Sequence, residues 1–312
     1  MIFYGVDSNL INITETVYQK CCFQNVIYIP ASDTDRAKLF GDPIFGVIKN
    51  VYYYHEKGIE IIDNTKEFFI DLDDSKKIYI GRPVPSHIES IYPCPYNKLA
   101  KIHSNIKFLY GKMEDEYPEQ LMSARFLKGD ERVLEIGGNI GRNSMVIASL
   151  LKDSKNLVVM ETDANSACKL YENRDLNGFH FSIENSALSL RPLYQYKWQT
   201  ILYDEYEALN EEEKPKWYPV NTISYTELKM KYQIEFDTLV LDCEGAFYWI
   251  LRDMPEILDG IRLIIMENDY NDIEQKNEID EILEIKGFNR IYVESGGWGV
   301  CYDFFFEAYA RT

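Results

Sequence analysis

The pattern of apolar and polar positions changes character about a third of the way along the chain. Before that point the sequence consists of short runs rich in Ile, Val, Tyr and Phe, such as IFYGV, NVIYIPA and EFFIDLDD, bounded by Gly, Asp, Asn and Pro. Short runs of this composition predict β-strands joined by turns. We therefore expect residues 1–105 to form a small β-rich domain that contains one helix near Asp33 to Phe40.

From residue 106 onward, apolar strands of the buried type alternate with helices. The segment YPEQLMSARFL has helical spacing, and the apolar runs RVLEI, NLVVM, FSIE, TLVL and RLIIM follow it with helical segments between them. This alternation predicts a parallel sheet covered by helices on both faces. NRIYVES and YDFFFEAYA predict a terminal antiparallel pair. The predicted fold class is α/β, with a Rossmann-like sheet over residues 106–312 and the smaller β-rich domain before it.

Composition narrows the classes of partner. The formal net charge is −18 and no basic run is present, which argues against nucleic acid because phosphate backbones are bound by Lys and Arg. No stretch approaches the roughly 20 apolar residues of a membrane span, and MIFYGVDSNL lacks the features of a signal peptide. The six cysteines are scattered without CxxC spacing. We expect a cytoplasmic protein with reduced thiols.

The run VLEIGGNIG, residues 133–141, predicts a ligand-binding turn. A strand that feeds a glycine turn and opens a helix places backbone N–H groups at the helix N-terminus. Position 139 is Asn, so the dinucleotide pattern GxGxxG is not met. The spacing fits instead the E/D-x-G-x-x-x-G pattern of methyltransferases that bind S-adenosylmethionine (SAM). A structural turn of the same composition is the alternative.

A second signal lies 20 residues beyond Gly141, where Glu161 ends the strand NLVVM. An acid at about this distance accepts hydrogen bonds from ribose hydroxyls, although an acid that only stabilises a helix N-terminus is the alternative. SIENSA, at the tip of the next strand, is expected beside the adenine or is merely a surface strand end. The predicted cofactor-binding residues are Glu135, Gly137, Gly138, Asn139, Gly141, Asn143, Glu161, Thr162, Asn185, Ser186 and Asp242.

Two further strands end in acids, within DCEG and MEND. Ligands of open α/β sheets bind outside the carboxyl ends of the strands, so we expect Asp242, Glu244 and Glu267 beside the methyl donor as candidate catalytic residues. A carboxylate there can deprotonate a hydroxyl. Asp242, Glu267 and Asn268 could also hold a divalent cation such as Mg²⁺. The alternative is that these acids cap the following helices.

Four segments in this order resemble the FkbM family of SAM-dependent methyltransferases: VLEIGGNIGRNS, VVMETDANSACKLYENRDLNGF, VNTISYTELKMKYQIEFDTLVLDCEGA and LIIMEND. The resemblance covers residues 117–312. It implies a class I methyltransferase sheet, SAM as the cofactor, and O-methylation, commonly of sugar hydroxyls. It also implies that SAM contacts Gly137, Asn139, Gly141 and Glu161. Phe247 stands where family members commonly carry an acid, and the segment from Tyr194 to Tyr218 is unusually long and acidic.

The resulting prediction is a SAM-dependent O-methyltransferase acting on a sugar hydroxyl of a glycan or glycoconjugate. The N-terminal domain would help to hold this acceptor, and Trp217, Tyr218 and Trp298 are candidates either for stacking on a sugar or for covering the core. Two alternatives stay open. One is a degenerate scaffold that binds a glycan or a protein, and the other is an O-methyltransferase for a lipid or a small metabolite, because fold does not fix substrate.

Overall fold

The computed structural model describes residues 1–6, 9–23, 25–81, 84–91 and 95–311. The chain divides into two compact units, Met1–Asn97 and Lys98–Thr312. The division lies shortly before the boundary expected at residue 105, since the Lys98 ammonium donates to backbone carbonyls of the second unit. The helix Pro95–His103 spans this division, and it begins at a proline, which is tolerated at the first position of a helix. Cys94 lies outside the described residues.

The first unit contains two four-stranded antiparallel sheets. Their strand orders are β2-β1-β5-β6 and β3-β4-β7-β8. The strands are β1 Ile2–Val6, β2 Asn9–Asn12, β3 Cys22–Phe23, β4 Val26–Ile29, β5 Asn50–His55, β6 Gly58–Ile62, β7 Phe68–Asp71 and β8 Lys77–Ile80. The helices are α1 Thr14–Lys20, α2 Asp33–Phe40 and α3 Ser86–Ile91. The β-rich character is as predicted, and α2 occupies the predicted helix.

Both faces of β4 are buried, which explains its uninterrupted apolar sequence. Ile27 and Ile29 belong to one hydrophobic cluster, whereas Val26 and Tyr28 belong to another. Side chains alternate across a strand, so a strand between two clusters has no polar face. The helix α2 begins at a serine N-cap, because the Ser32 side chain accepts from the Asp35 N–H.

The second unit alternates strands and helices as its sequence predicts. Its strands are β9 Val133–Ile136, β10 Leu157–Met160, β11 Ser182–Glu184, β12 Ala187–Leu188, β13 Leu193–Tyr196, β14 Gln199–Leu202, β15 Tyr218–Val220, β16 Thr222–Ile223, β17 Thr238–Leu241, β18 Leu263–Glu267, β19 Asn289–Glu294 and β20 Phe306–Ala310. Its helices are α4 Pro95–His103, α5 Tyr117–Phe126, α6 Arg142–Leu150, α7 Ala164–Leu176, α8 Tyr203–Glu207, α9 Tyr225–Tyr232, α10 Ala246–Asp253 and α11 Ile273–Ile285. None of the described helices has the length and apolar character that a membrane span requires.

The main sheet has seven strands in the order β11-β10-β9-β17-β18-β20-β19. The first five are parallel, and β20 runs antiparallel to both of its neighbours. The predicted parallel sheet and terminal antiparallel pair are therefore both confirmed. The predicted α/β fold class is also confirmed, as a Rossmann-like sheet with a smaller β-rich unit. The strands that follow β9 in the chain, β10 and β11, lie on one side of it, and β17 lies on its other side. The point at which the strand order reverses in this way is where open α/β sheets bind ligands.

The acidic segment before β16 forms a small sheet of its own, which we call the insertion sheet (β13, β14 and β15). Its strand order is β14-β13-β15, and the parallel pair β12 and β16 flanks its base. The Arg191 guanidinium pairs with Asp253 of α10 at 2.7 Å, and the Tyr218 hydroxyl donates to Asp163 at 3.0 Å. The sequence showed only that the segment from Tyr194 to Tyr218 is long and acidic, so the insertion sheet was not anticipated.

One position at the switch point tests this packing. Gly137 has φ +96°, and an added Cβ would lie 1.5 Å from the Asp242 carbonyl oxygen; Gly178 has φ +67° with nothing within 4 Å. Left-handed strain of about 1–2 kcal/mol applies to alanine at both positions. Overpacking of about 1–3 kcal/mol applies to Gly137→Ala alone. We expect urea unfolding to show a clearly larger loss of stability for Gly137→Ala than for Gly178→Ala. Equal losses would contradict the close backbone approach.

Candidate functional site

A cavity of about 310 Å³ lies at the carboxyl ends of the central parallel strands. This volume is within the range of pockets that hold small-molecule ligands. Its walls come from the loops after β9, β10, β11, β17 and β18, from α5 and α10, and from the insertion sheet. The predicted site residues that line it are Gly137, Asn139, Glu161, Thr162, Ser186, Asp242, Glu244 and Glu267.

The glycine turn after β9 uses its N–H groups within the protein. Gly137 and Gly138 donate to the carbonyl oxygen of Met160 at 3.0 and 2.9 Å, and Asn139 donates to Oε2 of Glu161 at 2.7 Å. The expectation that these N–H groups are free for a ligand is therefore wrong at these three positions. The turn is fastened to β10 and orients the acid that follows that strand.

Glu161 has a fixed orientation at the end of β10. Its Oε2 accepts from the N–H of Asn139, and its Oε1 accepts from the N–H of Asp163 at 2.7 Å. A carboxylate has about four lone-pair sites, so two of them stay available for ribose hydroxyls. Burial raises the pKa of Glu161, and the two backbone N–H groups act in the opposite direction.

Four predicted cofactor-binding residues lie behind the cavity wall. Glu135 is buried on β9, and this burial raises its pKa to about 8. Added Cβ atoms at Gly138 and Gly141 would both meet the side chain of Leu170, so these glycines allow α7 to pack closely. Asn143 is buried and accepts from a serine hydroxyl of α5. These four residues support the cavity wall from behind. Direct contacts with SAM, as the sequence predicted, would require them to line the cavity itself.

Two more predicted residues follow β11. The Asn185 amide donates to the backbone carbonyls of Glu161 and Thr162 at 2.8 and 3.1 Å, and Asn185 is not among the cavity-lining residues. It therefore holds the loop that carries the acid, where the sequence suggested contact with the base. Ser186 does line the cavity, and its hydroxyl donates to Glu184 at 2.7 Å.

The charged side chains in the cavity wall are all acidic. Among the residues that the structure describes, its lining contains no Lys, Arg or His. The lining carboxylates are Glu116, Glu119, Glu161, Asp242, Glu244 and Glu267. Burial, followed by the charges of Glu116 and Glu119, raises the pKa of Asp242. Burial and a hydrogen bond with Glu119 raise the pKa of Glu267 to about 12. The ligand-free cavity therefore holds protons that a bound cation could replace.

The sequence analysis missed two of these acids, which α5 contributes. Glu116 is the N-cap residue of α5, and burial raises its pKa to about 7 against the opposing charge of Arg142. Glu119 is buried, and its Oε2 has no hydrogen-bond partner among the described residues. The run EDEYPEQ is visibly acidic, but the sequence alone does not show that α5 turns two of these acids towards the cavity.

Three acids at the ends of β17 and β18 form a candidate cation site. Asp242, Glu267 and Asp269 each offer an oxygen, and these oxygens lie within 4.8 Å of one another. Asn268, which the sequence predicted as a ligand, donates through Nδ2 to the Phe304 carbonyl and to Glu307 at 2.7 and 2.9 Å, and its buried Oδ1 has no hydrogen-bond partner among the described residues. Its role as a ligand stays a prediction, and the structure adds Asp269 as a third carboxylate beside Asp242 and Glu267.

Left-handed backbone conformations occur at three non-glycine residues of the same wall. Glu116, Asn139 and Glu244 have φ values of +62°, +46° and +52°, and all three line the cavity. Non-glycine residues in this region are strained, and such strain is commonly found at functional sites. The backbone has thus adopted unfavourable angles at three separate points around one cavity.

The aromatic residues proposed for sugar stacking lie elsewhere. The Trp217 ring packs against Tyr196 at 5.7 Å, the Tyr218 hydroxyl is bonded to the loop after β10, and Trp298 does not line the cavity. Trp198, at the tip of the insertion sheet, does line it and is 62% exposed. Phe247 is buried in the core, so its position adds no group to the cavity.

No protein-family model matches the sequence, and no curated protein matches it. The chain is similar in structure to the ribosomal protein L11 methylase of Lactobacillus delbrueckii subsp. bulgaricus, with 13% identity and a TM-score of 0.42 over 66% of this chain and 82% of that one. It is also similar to the O-methyltransferase of Bacillus cereus in complex with S-adenosylhomocysteine (SAH), with 16% identity and a TM-score of 0.38 over 73% of this chain and 92% of that one. An rRNA methylase of Streptococcus thermophilus shows 9% identity and a TM-score of 0.37 over 66% and 99%. Similarity at this level does not identify an activity, so the function has to be inferred from the site.

The raised pKa values predict how stability depends on pH. Burial and the charges of Glu244 and Glu119 raise the pKa of Asp269 to about 7, well above the value of about 4 in an unfolded chain. Between these values the folded state binds more protons than the unfolded state, so this contribution to stability falls as pH rises. We expect Asp269→Asn to raise the melting temperature of the ligand-free protein at pH 8, by about 5 °C, and to change it little at pH 4.

Thermal melts between pH 4 and pH 8 measure this difference, with the exposed Asp259→Asn as the control. The control should leave the melting curve unchanged at every pH. A destabilising effect of Asp269→Asn that is equal at pH 4 and pH 8 would show that the carboxyl is not held in its protonated form.

Proposed function

We propose that this chain is a SAM-dependent methyltransferase. The observation that carries the proposal is the combination of Glu161, oriented to accept from a ribose, with a cavity whose other charged groups are all carboxylates. A nicotinamide dinucleotide carries an anionic pyrophosphate, which this wall would repel. SAM carries a cationic sulfonium and an ammonium group, which the wall attracts. The acidic lining therefore favours SAM among nucleoside cofactors.

We propose that the transfer goes to a hydroxyl oxygen. The hydroxyl oxygen attacks the methyl carbon in line, the carbon–sulfur bond breaks, and SAH leaves with both bonding electrons. The hydroxyl proton goes to a carboxylate, for which Asp242, Glu244 and Glu267 are the candidates. Glu244 is exposed at the cavity rim, and the burial of Asp242 and Glu267 favours proton uptake. Positioning of the two reactants would supply much of the acceleration.

We also propose a divalent cation at Asp242, Glu267 and Asp269. Three clustered carboxyl oxygens suit a hard cation such as Mg²⁺, and the unpartnered Oε2 of Glu119 lines the same cavity. When bound, the cation would lower the pKa of the acceptor hydroxyl. Asp242, Glu267 and Asp269 would hold the cation in place, and they would release their bound protons when it binds.

A sugar hydroxyl of a glycan or glycoconjugate is the proposed acceptor, and membership of the FkbM family is part of the same proposal. Both rest on the resemblance, and the exposed ring of Trp198 at the cavity supports the acceptor because an aromatic face can stack on a sugar. A role of the first unit in holding the acceptor remains a proposal. Two backbone N–H groups orient Glu161 and the cavity is open, which argues against a degenerate scaffold. A lipid or a small metabolite is the second candidate acceptor.

Calorimetric titration with SAH tests cofactor binding. We expect the wild-type chain to bind SAH, and Glu161→Gln to weaken binding by about 10- to 100-fold, because the variant loses a charged acceptor for the ribose hydroxyls. Glu256→Gln, at an exposed position away from the cavity, is the matched control and should bind as the wild type does. Failure of the intact protein to bind SAH would overturn the proposed function.

A methyl-transfer assay tests the acceptor and the cation together. SAH release is followed with methyl glycosides, fatty alcohols and catechols as acceptors, in the presence of Mg²⁺ or of EDTA. We expect turnover of a glycoside, loss of at least about 10-fold in EDTA, and the same loss in Asp269→Asn at saturating Mg²⁺. Binding of Mn²⁺ measured by calorimetry should weaken in parallel. Equal rates in Mg²⁺ and EDTA would remove the cation from the proposal, and turnover of only the other acceptors would remove the sugar.

A further inference from the structure

The insertion sheet brings a buried amide with an unused oxygen to the cavity. Gln195, on β13, lines the cavity although its side chain is only 3% exposed. Its Nε2 donates to the Lys197 carbonyl at 2.9 Å, and this bond fixes which end of the amide is the oxygen. Oε1 has no hydrogen-bond partner among the described residues. Buried polar atoms are nearly always paired, so this oxygen points to a ligand that donates.

Neighbouring residues locate Gln195 at one end of the cavity. Leu188, which follows β11, and Leu193 and Thr200 of the insertion sheet line the main cavity together. The same three residues, together with Ala246 and Ile250 of α10, also border a second cavity of about 170 Å³, so they are neighbours in space. Gln195 is paired in register with Tyr218 of β15, whose hydroxyl donates to Asp163 in the loop after β10 at 3.0 Å. The insertion sheet therefore meets the main cavity beside the ends of β10 and β11.

The order of the parallel strands identifies the ligand group at that end. The ribose acid follows β10, and the glycine turn follows β9 on one side of it. β11 lies on the other side. If SAM lies with its ribose at Glu161 and its sulfonium towards the acids after β17, its base extends towards β11. Gln195 then faces the base.

We propose that Gln195 recognises the 6-amino group of adenine, and this inference rests on the proposed binding of SAM. An amide oxygen can only accept, and the donor that adenine offers on its edge is its exocyclic amine, whereas its ring nitrogens accept. The contact makes Gln195 a specificity-determining residue for the base. It lies in the insertion sheet, outside the four segments that resemble the FkbM family.

The test compares two ligands on three proteins by calorimetry. The ligands are SAH and its 6-deamino analogue, in which a hydrogen atom replaces the amino group. The proteins are the wild type, Gln195→Met, and the matched control Gln199→Met, which changes an exposed glutamine on the other strand of the same hairpin. We expect the wild type and the control to prefer SAH by about 10-fold, and Gln195→Met to bind the two ligands within about twofold of each other.

A further variant guards against misfolding of Gln195→Met. Gln195→Glu keeps an accepting oxygen and should keep the preference for SAH. Absence of SAH binding by the wild type would count against the proposed function itself. If the wild type binds SAH but shows no preference, or if Gln195→Met keeps the preference, the assignment of Gln195 is overturned while SAM binding stands.

Discussion

The close approach of two backbones at the switch point determines the rest of the site. Gly137 ends β9 so near to the Asp242 carbonyl that no side chain fits between them. The turn that follows is hydrogen-bonded to the end of β10, which brings Glu161 to one side of the junction. The loop after β17 carries Asp242 and Glu244 to its other side. Glu161 and a group of other carboxylates thus open into one cavity because the backbones at the ends of two parallel strands approach without a side chain between them.

Most carboxyl groups of the cavity have no cationic partner among the residues that the structure describes. Buried carboxylates normally have a cationic partner or coordinate a metal, and among the carboxylates described as lining this cavity, Glu116 alone has such a partner, Arg142. Burial, together with neighbouring carboxyl groups that include Glu119 in each case, instead raises the pKa values of Asp242, Glu267 and Asp269. The strained φ angles of Glu116, Asn139 and Glu244 belong to the same wall. The buried carboxyl groups and the left-handed φ angles both lower the stability of the folded protein, a cost that is common at functional sites.

The sequence predicts those parts of the site that depend on strand ends and short spacings. The buried strands β9, β10, β17 and β18 are recognisable as apolar runs, so the positions of Glu161 and Asp242 follow from topology. Glu119 could not be placed in this way, because it reaches the cavity only through the packing of α5 against β18. Asp269 was not predicted as a ligand, because the sequence does not show which residues after β18 lie on the same side as Glu267, and only the structure brings its carboxyl oxygen within 4.8 Å of those of Asp242 and Glu267. Gln195 lies in a polar segment whose weak alternation gave no strand prediction.

The reaction proposed for this cavity conserves its charge. SAM brings one positive charge on sulfur, and methyl transfer leaves a neutral thioether while the acceptor hydroxyl releases a proton. If a wall carboxylate takes that proton, the positive charge moves within the cavity and is not lost from it. Attraction of the sulfonium alone would aid ground-state binding more than the rate. The carboxylates would interact with the positive charge while it is on sulfur, before the transfer, and with the released proton after it. Several acids with raised pKa values can share these two tasks, whereas a single acid could not.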